Sequence, residues 1–358
     1  TNAQGSTPFP ETYIMPVKDA DGTTAKIGFI GINIPFNKAN YVSYTDPLQT
    51  AQKLYAQIKD SCDVVIALTH QLMADDVKLA QAVPGLAAVL GGHEHDMRYQ
   101  KVGNVIVAKA HANARSAYMV TLRINKRKGT HAVKAVLKNI DASVALDEAT
   151  QATVKKWSDI AEKNYASIGF DAKKIVMHRG EPLEARESLI RRTTTNFSKL
   201  IVNAMEQAAP QAQVAIVNSG SIRLDDVLQA PVTQYDIIRA LPFGGGITEV
   251  EMKGSLLKQI LEAGRNNVGI GGFLHYSSAL AYDAINQQWT FEKMPISEEA
   301  NFRVAITDFL LTGGEANMNF LNKENMAINK VYPIATSQSD LRSDIRLAIV
   351  AYMEKLKM

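Results

Sequence analysis

The chain has 358 residues, 46% hydrophobic and 21% charged, a length and composition that suggest a soluble globular protein of two domains. Its 39 lysines and arginines nearly balance 36 aspartates and glutamates, and the net charge of +3 gives no ground for nucleic acid or a membrane surface as a partner. No run approaches the ~20 apolar residues of a membrane-spanning helix, and the single cysteine, Cys62, excludes an internal disulfide.

The N-terminal TNAQGSTPFPETY is polar and carries no signal-like apolar run, which leaves the compartment open. Strands are expected at 26–32 (KIGFIGI), 63–69 (DVVIALT), 87–91, 104–109, 116–124 and 132–140. Unbroken runs such as VVIAL predict strands buried on both faces, as in α/β proteins. Cys62, at the head of one such run, reads as a small buried hydrophobe. Helices are expected at 46–60, with Asp46 as N-cap and Pro47 in the first turn, and at 74–83. The turn KRKGTH joins the last two strands into a hairpin. The polar helical stretch 146–165 marks a change of composition and is taken as a linker. Beyond it, helices at 195–208, 234–240, 254–264 and 341–356 mix with strands at 174–178, 213–217, 247–252 and 303–307. The Gly- and Asn-rich segment 265–276 reads as an exposed irregular loop.

Histidine is the commonest metal ligand. Three histidines follow two apolar runs: His70 ends IALTH, and His93 and His95 lie in GGHEHD behind AAVL. In an extended segment residues i and i+2 share a side, so His93 and His95 could reach one ion or two adjacent ions. In an open α/β sheet, ligands bind beyond the carboxyl ends of the strands. The trio fits a single zinc site with an open position, or part of a two-metal site with ions ~3.5–4 Å apart. Glu94 and Asp96 are taken as solvated or supporting groups rather than ligands.

IALTH, GGHEHD, NSGSIR (218–223), LPFGG (241–245) and FLLTGGE (309–315) occur in an order and spacing that resembles the 5'-nucleotidase family over about 26–356. The resemblance implies a calcineurin-like metallophosphoesterase domain followed by a nucleotide-binding domain. It implies two divalent ions, such as Zn or Mn, and a nucleotide or nucleoside as the small-molecule partner. It also implies export to a periplasm or the cell exterior. By the same resemblance His70 and His93 share one metal and His95 reaches the other. The family's earlier ligand motifs, Asp-x-His, Gly-Asp and Gly-Asn-His, do not occur in this sequence. The expectation is therefore a C-terminal portion of a larger enzyme, inactive alone and binding metal weakly or not at all. A separate N-terminal segment or second chain would supply the rest.

The resemblance assigns substrate binding to Asn218, Arg223, Phe243, Phe309 and Glu315, with Arg191 as a further arginine and Arg192 as its close rival. The two phenylalanines would sandwich a base and Glu315 would take the ribose. Departures from the family pattern are Ser219 and Ser221 for glycines, Glu315 for Asp, Thr194 for Glu and Ser198 for Gly. The expected fold class is α/β: a partial metallophosphoesterase β-sandwich flanked by helices (1–145), a linker helix (146–165) and an α+β nucleotide-binding domain (166–358). The expected activity is metal-dependent hydrolysis of nucleotide phosphoesters by the intact protein. The alternatives are a non-catalytic nucleoside-binding or interaction protein, and a mononuclear zinc enzyme built on the three histidines.

Overall fold

The computed structural model describes residues 9–35, 41–333 and 335–356, so most of the polar N-terminal stretch lies outside the described residues. The chain divides into two compact units, Thr1–Asp147 and Glu148–Met358.

The first unit contains β1 (Thr12–Lys18), β2 (Thr24–Asn33), α1 (Pro47–Ile58), β3 (Val64–His70), α2 (Met73–Ala82), β4 (Ala88–Gly91), β5 (Arg98–Val102), β6 (Val105–Lys109), β7 (Ser116–Asn125) and β8 (Thr130–Asn139). Its sheet runs β1-β2-β3-β4-β6-β5. The central strands β2, β3, β4 and β6 are parallel, and β1 and β5 flank them antiparallel. Side-chain alternation splits each run between two faces. Val65, Ala67, Val89 and Val107 pack under Leu54 and Ile58 of α1 and Leu79 of α2. Val64, Ile66, Ile106 and Ala108 face Tyr118, Leu122 and Val133 of the β7–β8 ribbon. Each such aliphatic side chain contributes ~1.5–3 kcal/mol of burial. As expected, the Asp46 carboxylate caps α1 by accepting from Gln49 N, with Pro47 in the first turn. Cys62 is half-buried, and burial pushes its thiol pKa up, as suits an inert packing residue.

The second unit contains α3 (Glu148–Ser167), β9 (Ile175–Met177), β10 (Leu183–Glu184), α4 (Glu187–Ile190), α5 (Asn196–Ala208), β11 (Val214–Asn218), β12 (Val227–Leu228), β13 (Val232–Thr233), α6 (Gln234–Ala240), β14 (Ile247–Lys253), α7 (Gly254–Asn266), β15 (Leu274–Tyr276), β16 (Leu280–Asp283), β17 (Gln288–Phe291), β18 (Met294–Pro295), β19 (Asn301–Thr307), β20 (Ile328–Val331) and α8 (Ile345–Leu356). Its main sheet runs β15-β11-β19-β14-β20, with only β11 and β19 parallel. α5 buries Phe197, Leu200, Ile201, Ala204 and Met205, a helical stripe that packs on one sheet face beside α6 and α8. α7 covers the other face through Leu257, Ile260 and Leu261. The α/β class expected of the chain is what the structure shows. No helix among the described residues is long and apolar enough to cross a membrane.

Candidate functional site

Two clusters carry chemistry, one in each unit. In the first, β3 and β4 run side by side with Thr69 opposite Gly91, so His70 and the GGHEHD loop leave neighbouring carboxyl ends. The rings of His70 and His93 meet edge to face, 5.3 Å between centroids. Gly92 lies beside this pair: a Cβ there would stand 3.4 Å from His70 Nδ1, in ordinary contact. The loop is not extended, which corrects the alternation argument: His93 and His95 both take left-handed backbone, at φ 98° and 63°. Such a conformation costs a non-glycine residue about 1 kcal/mol. His95 is anchored by its carbonyl, which accepts from Ala112 N at 2.9 Å. Among the described residues, no group of three or more His, Cys, Asp or Glu converges where it could hold a metal ion. The structure thus brings His70 and His93 together but does not assemble His95 with them into a three-ligand set.

The acids between the histidines are committed elsewhere. Asp96 is ion-paired with Arg98 at 2.7 Å. Glu94, expected to be solvated or supporting, is 9% exposed and bound to the ammonium of Lys109 at 2.6 Å. Its other oxygen accepts from Met73 N, at the start of α2. Burial opposes the charge of Glu94, but the bonds from Lys109 and Met73 outweigh it and hold its carboxyl below the usual range. Lys109 is itself 1% exposed, ion-paired with the fully buried Asp76 at 2.8 Å, and donates to the Gln71 carbonyl at 2.5 Å. Asp76 in turn accepts from Gln71 Nε2 at 2.9 Å. Sequence reasoning missed Lys109 and Asp76. The available signal was a lysine closing the apolar run VIVAK.

In the second unit, Asn218 ends β11 and donates through Nδ2 to Glu315 at 2.6 Å. Ser221 donates to Asn218 Oδ1 at 2.7 Å, fixing the amide's orientation. The other oxygen of Glu315 accepts from Ala316 N at 2.8 Å. Arg223 is exposed and lies over the Phe243 ring, 6.0 Å from its centroid. Phe243 is 73% exposed and Phe309 44%, unusual for residues of this type. Asp308 joins the two aromatic segments: its carboxylate accepts from Gly246 N at 3.0 Å, and its own N–H donates to the Gly246 carbonyl at 3.0 Å. Asn218 thus ties Ser221 to Glu315, Arg223 lies over Phe243, and Asp308 joins the segment of Phe309 to the one that follows Phe243. Phe309 also borders a cavity of ≈ 760 Å³ lined by Thr248, Asp308, Lys323 and Tyr332, within the usual size range of small-molecule sites. The Thr248 hydroxyl is buried there without a hydrogen-bond partner.

Arg191 is less available than expected. Its guanidinium is paired with Glu187 one turn earlier at 2.5 Å, and its buried Nε has no partner. Arg192 is exposed, and its guanidinium has no hydrogen-bond or ion-pair partner among the described residues. It lies against Gly269. The segment 265–276, expected to be an exposed loop, is instead docked. Gly269 N donates to Arg191 O at 2.7 Å, Gly220 N to Gly271 O at 2.8 Å and Ser219 N to Phe273 O at 2.8 Å. Ser219 and Ser198, read as departures from glycine, have structural work. Ser219 Oγ donates to the Ile270 and Gly271 carbonyls. Ser198 completes a capping box with Thr195 at the start of α5.

A sequence profile of the 5'-nucleotidase C-terminal domain matches residues 176–323. The trifunctional nucleotide phosphoesterase protein YfkN of Bacillus subtilis is 24% identical over 76% of this chain and 20% of its own length. A snake venom 5'-nucleotidase of Naja atra is 25% identical over 85% of this chain and 66% of its own. The chain thus spans less than two thirds of these relatives. The crystal structure of a 5'-nucleotidase precursor from Thermus thermophilus superposes with a TM-score of 0.64, covering 96% of this chain and 72% of that one at 20% identity, a likeness of fold. With the profile falling on the segment that holds Asn218, Phe243, Phe309 and Glu315, residues 176–323 carry the 5'-nucleotidase C-terminal domain, and the relatives this chain resembles are 5'-nucleotidases and nucleotide phosphoesterases.

Proposed function

We propose that the protein hydrolyses nucleotide phosphoesters and that its second unit holds the nucleoside part of the substrate. The observation that carries this reading is the Asn218–Glu315 pair, with two exposed phenylalanines on segments that Asp308 joins. Phe243 and Phe309 would stack a base, worth ~1–3 kcal/mol and tolerant of base identity. Glu315 spends one hydrogen bond on each oxygen and keeps lone pairs for ribose hydroxyls. Arg223 and Arg192 offer guanidinium forks for phosphate. Arg191, tied to Glu187 through one of its five donors, would act through the others or by holding the turn.

Metallophosphoesterases use divalent ions, and His70, His93 and His95 are the residues of this chain we assign toward them. The described donor set does not fit such a centre by itself: two imidazoles converge, and both nearby acids are bound to cations. A complete centre would need donors beyond these, and the same shortfall favours the rival reading of a nucleoside-binding protein without turnover. Export to a periplasm or the cell exterior belongs to the proposal, supported by the precursor status of the Thermus relative.

Calorimetric titration with adenosine should show binding that weakens in Phe243→Ala and in Phe309→Ala. Equal affinity in all three proteins would refute the nucleoside site. Release of phosphate from AMP with added Mn²⁺ then separates the two readings, since binding without turnover favours the second.

A further inference from the structure

We propose that Lys109 is a positioning residue whose single ammonium sets the arrangement of His70 and His93. Each histidine-bearing segment is tied to it through a neighbouring residue. The residue after His70 is Gln71, whose carbonyl accepts from Lys109 at 2.5 Å. The residue between His93 and His95 is Glu94, whose carboxylate accepts from Lys109 at 2.6 Å. Lys109 itself sits on β6, at the register position opposite Gly91, and Asp76 of α2 holds the ammonium from a third side at 2.8 Å. Two loops, a helix and a strand therefore meet on one cation that solvent does not reach.

The loop needs such a tie. It carries two histidines in left-handed backbone, a conformation that persists only where the surroundings enforce it. Gly91 shows how closely the parts are fitted: a Cβ there would stand 2.6 Å from Thr69 Oγ1 and 3.1 Å from both Asp76 Oδ2 and Lys109 Cε. A buried lysine is retained at a cost in desolvation unless its partners are well placed. Here two of those partners, Gln71 and Glu94, are the chain neighbours of the imidazole pair. The proposal concerns the imidazoles themselves and stands whether or not nucleotide hydrolysis is the activity.

The test is histidine-ring NMR with amide hydrogen exchange. Wild type should show a cross-relaxation peak between the His70 and His93 rings. Lys109→Met would leave two buried carboxylates without a cation, so the informative variants are milder. Glu94→Ala leaves the Lys109–Asp76 pair in place. It should lose the inter-ring peak and speed exchange at Gly92–Asp96 by about tenfold or more, with β3, β4 and β6 unchanged. Glu94→Gln keeps an oxygen for Lys109 and should restore the peak. The uncharged triple variant Lys109→Met, Asp76→Asn, Glu94→Gln should fold and lack the peak. An inter-ring peak of wild-type intensity in Glu94→Ala, or in the folded triple variant, overturns the proposal. So does exchange that rises equally across the whole sheet, because that would mean general loosening rather than positioning.

Discussion

His275 makes the second unit acid-sensitive in a calculable way. It lies on β15, fully buried, its ring edge to face with Phe273 at 5.5 Å and both nitrogens without a hydrogen bond. Burial drives its pKa from 6.5 down to about 4, and the nearby Ile190 backbone opposes this only weakly, being too poorly placed for a hydrogen bond. The unfolded chain therefore takes up the proton first. Stability is intact above about pH 6.5 and falls as the pH drops through 6.5 toward 4. With these two values, linkage gives a loss of about 2 kcal/mol between pH 7 and pH 5, and about 3 kcal/mol by pH 4. Urea unfolding of wild type and His275→Leu at pH 7 and pH 5 measures it. The leucine variant should lose about 2 kcal/mol less over that interval. Parallel losses in the two proteins, or a His275 imidazole that titrates near its ordinary value, would refute the reasoning.

Phe243→Ala should leave the unfolding midpoint within about 0.5 kcal/mol of wild type, because the ring is 73% exposed, while costing ~1–3 kcal/mol of nucleoside affinity by calorimetry. Glu249, 3% exposed, accepts from Arg303 at 2.6 Å and from Arg342 at 2.8 Å. Glu249→Ala should destabilise the second unit by about 3 kcal/mol in denaturant titration. Gly254→Ala places a Cβ 2.0 Å from the Ser297 carbonyl oxygen, a backbone atom that cannot swing aside, and should lower stability by about 2 kcal/mol. Glu315→Ala frees the Asn218 amide and should weaken adenosine binding at least as much as Phe243→Ala does, with the unfolding midpoint moving by about 1 kcal/mol.

What could be read from the sequence was what depends on neighbours along the chain. The run VVIAL became the buried strand β3, and Asp46 with Pro47 opened α1, because alternation, caps and turns are local. The helix α5 and the hairpin around Gly129 were legible for the same reason. The hidden features depend on residues distant in sequence. Lys109 looks like a cation closing a strand, and only the fold brings Asp76 and Glu94 to it. GGHEHD opens with two glycines, the residues best suited to left-handed backbone, yet in this motif the left-handed residues are His93 and His95. The segment 265–276 has the composition of an exposed loop, and its docking rests on carbonyls and N–H groups that composition does not reveal.

That docking has a consequence for how the family can diversify. The segments carrying Arg191, Ser219, Gly220, Gly271 and Phe273 are joined mainly by backbone-to-backbone hydrogen bonds. Main-chain groups are the same whatever side chain they bear, so the frame survives replacement of the residues that face a ligand. Ser219 illustrates the latitude: a hydroxyl stands where the family pattern has only hydrogen, and it adds bonds to the same frame without disturbing it. A frame built this way tolerates change of its exposed side chains one substitution at a time, while the scaffold that presents them stays folded.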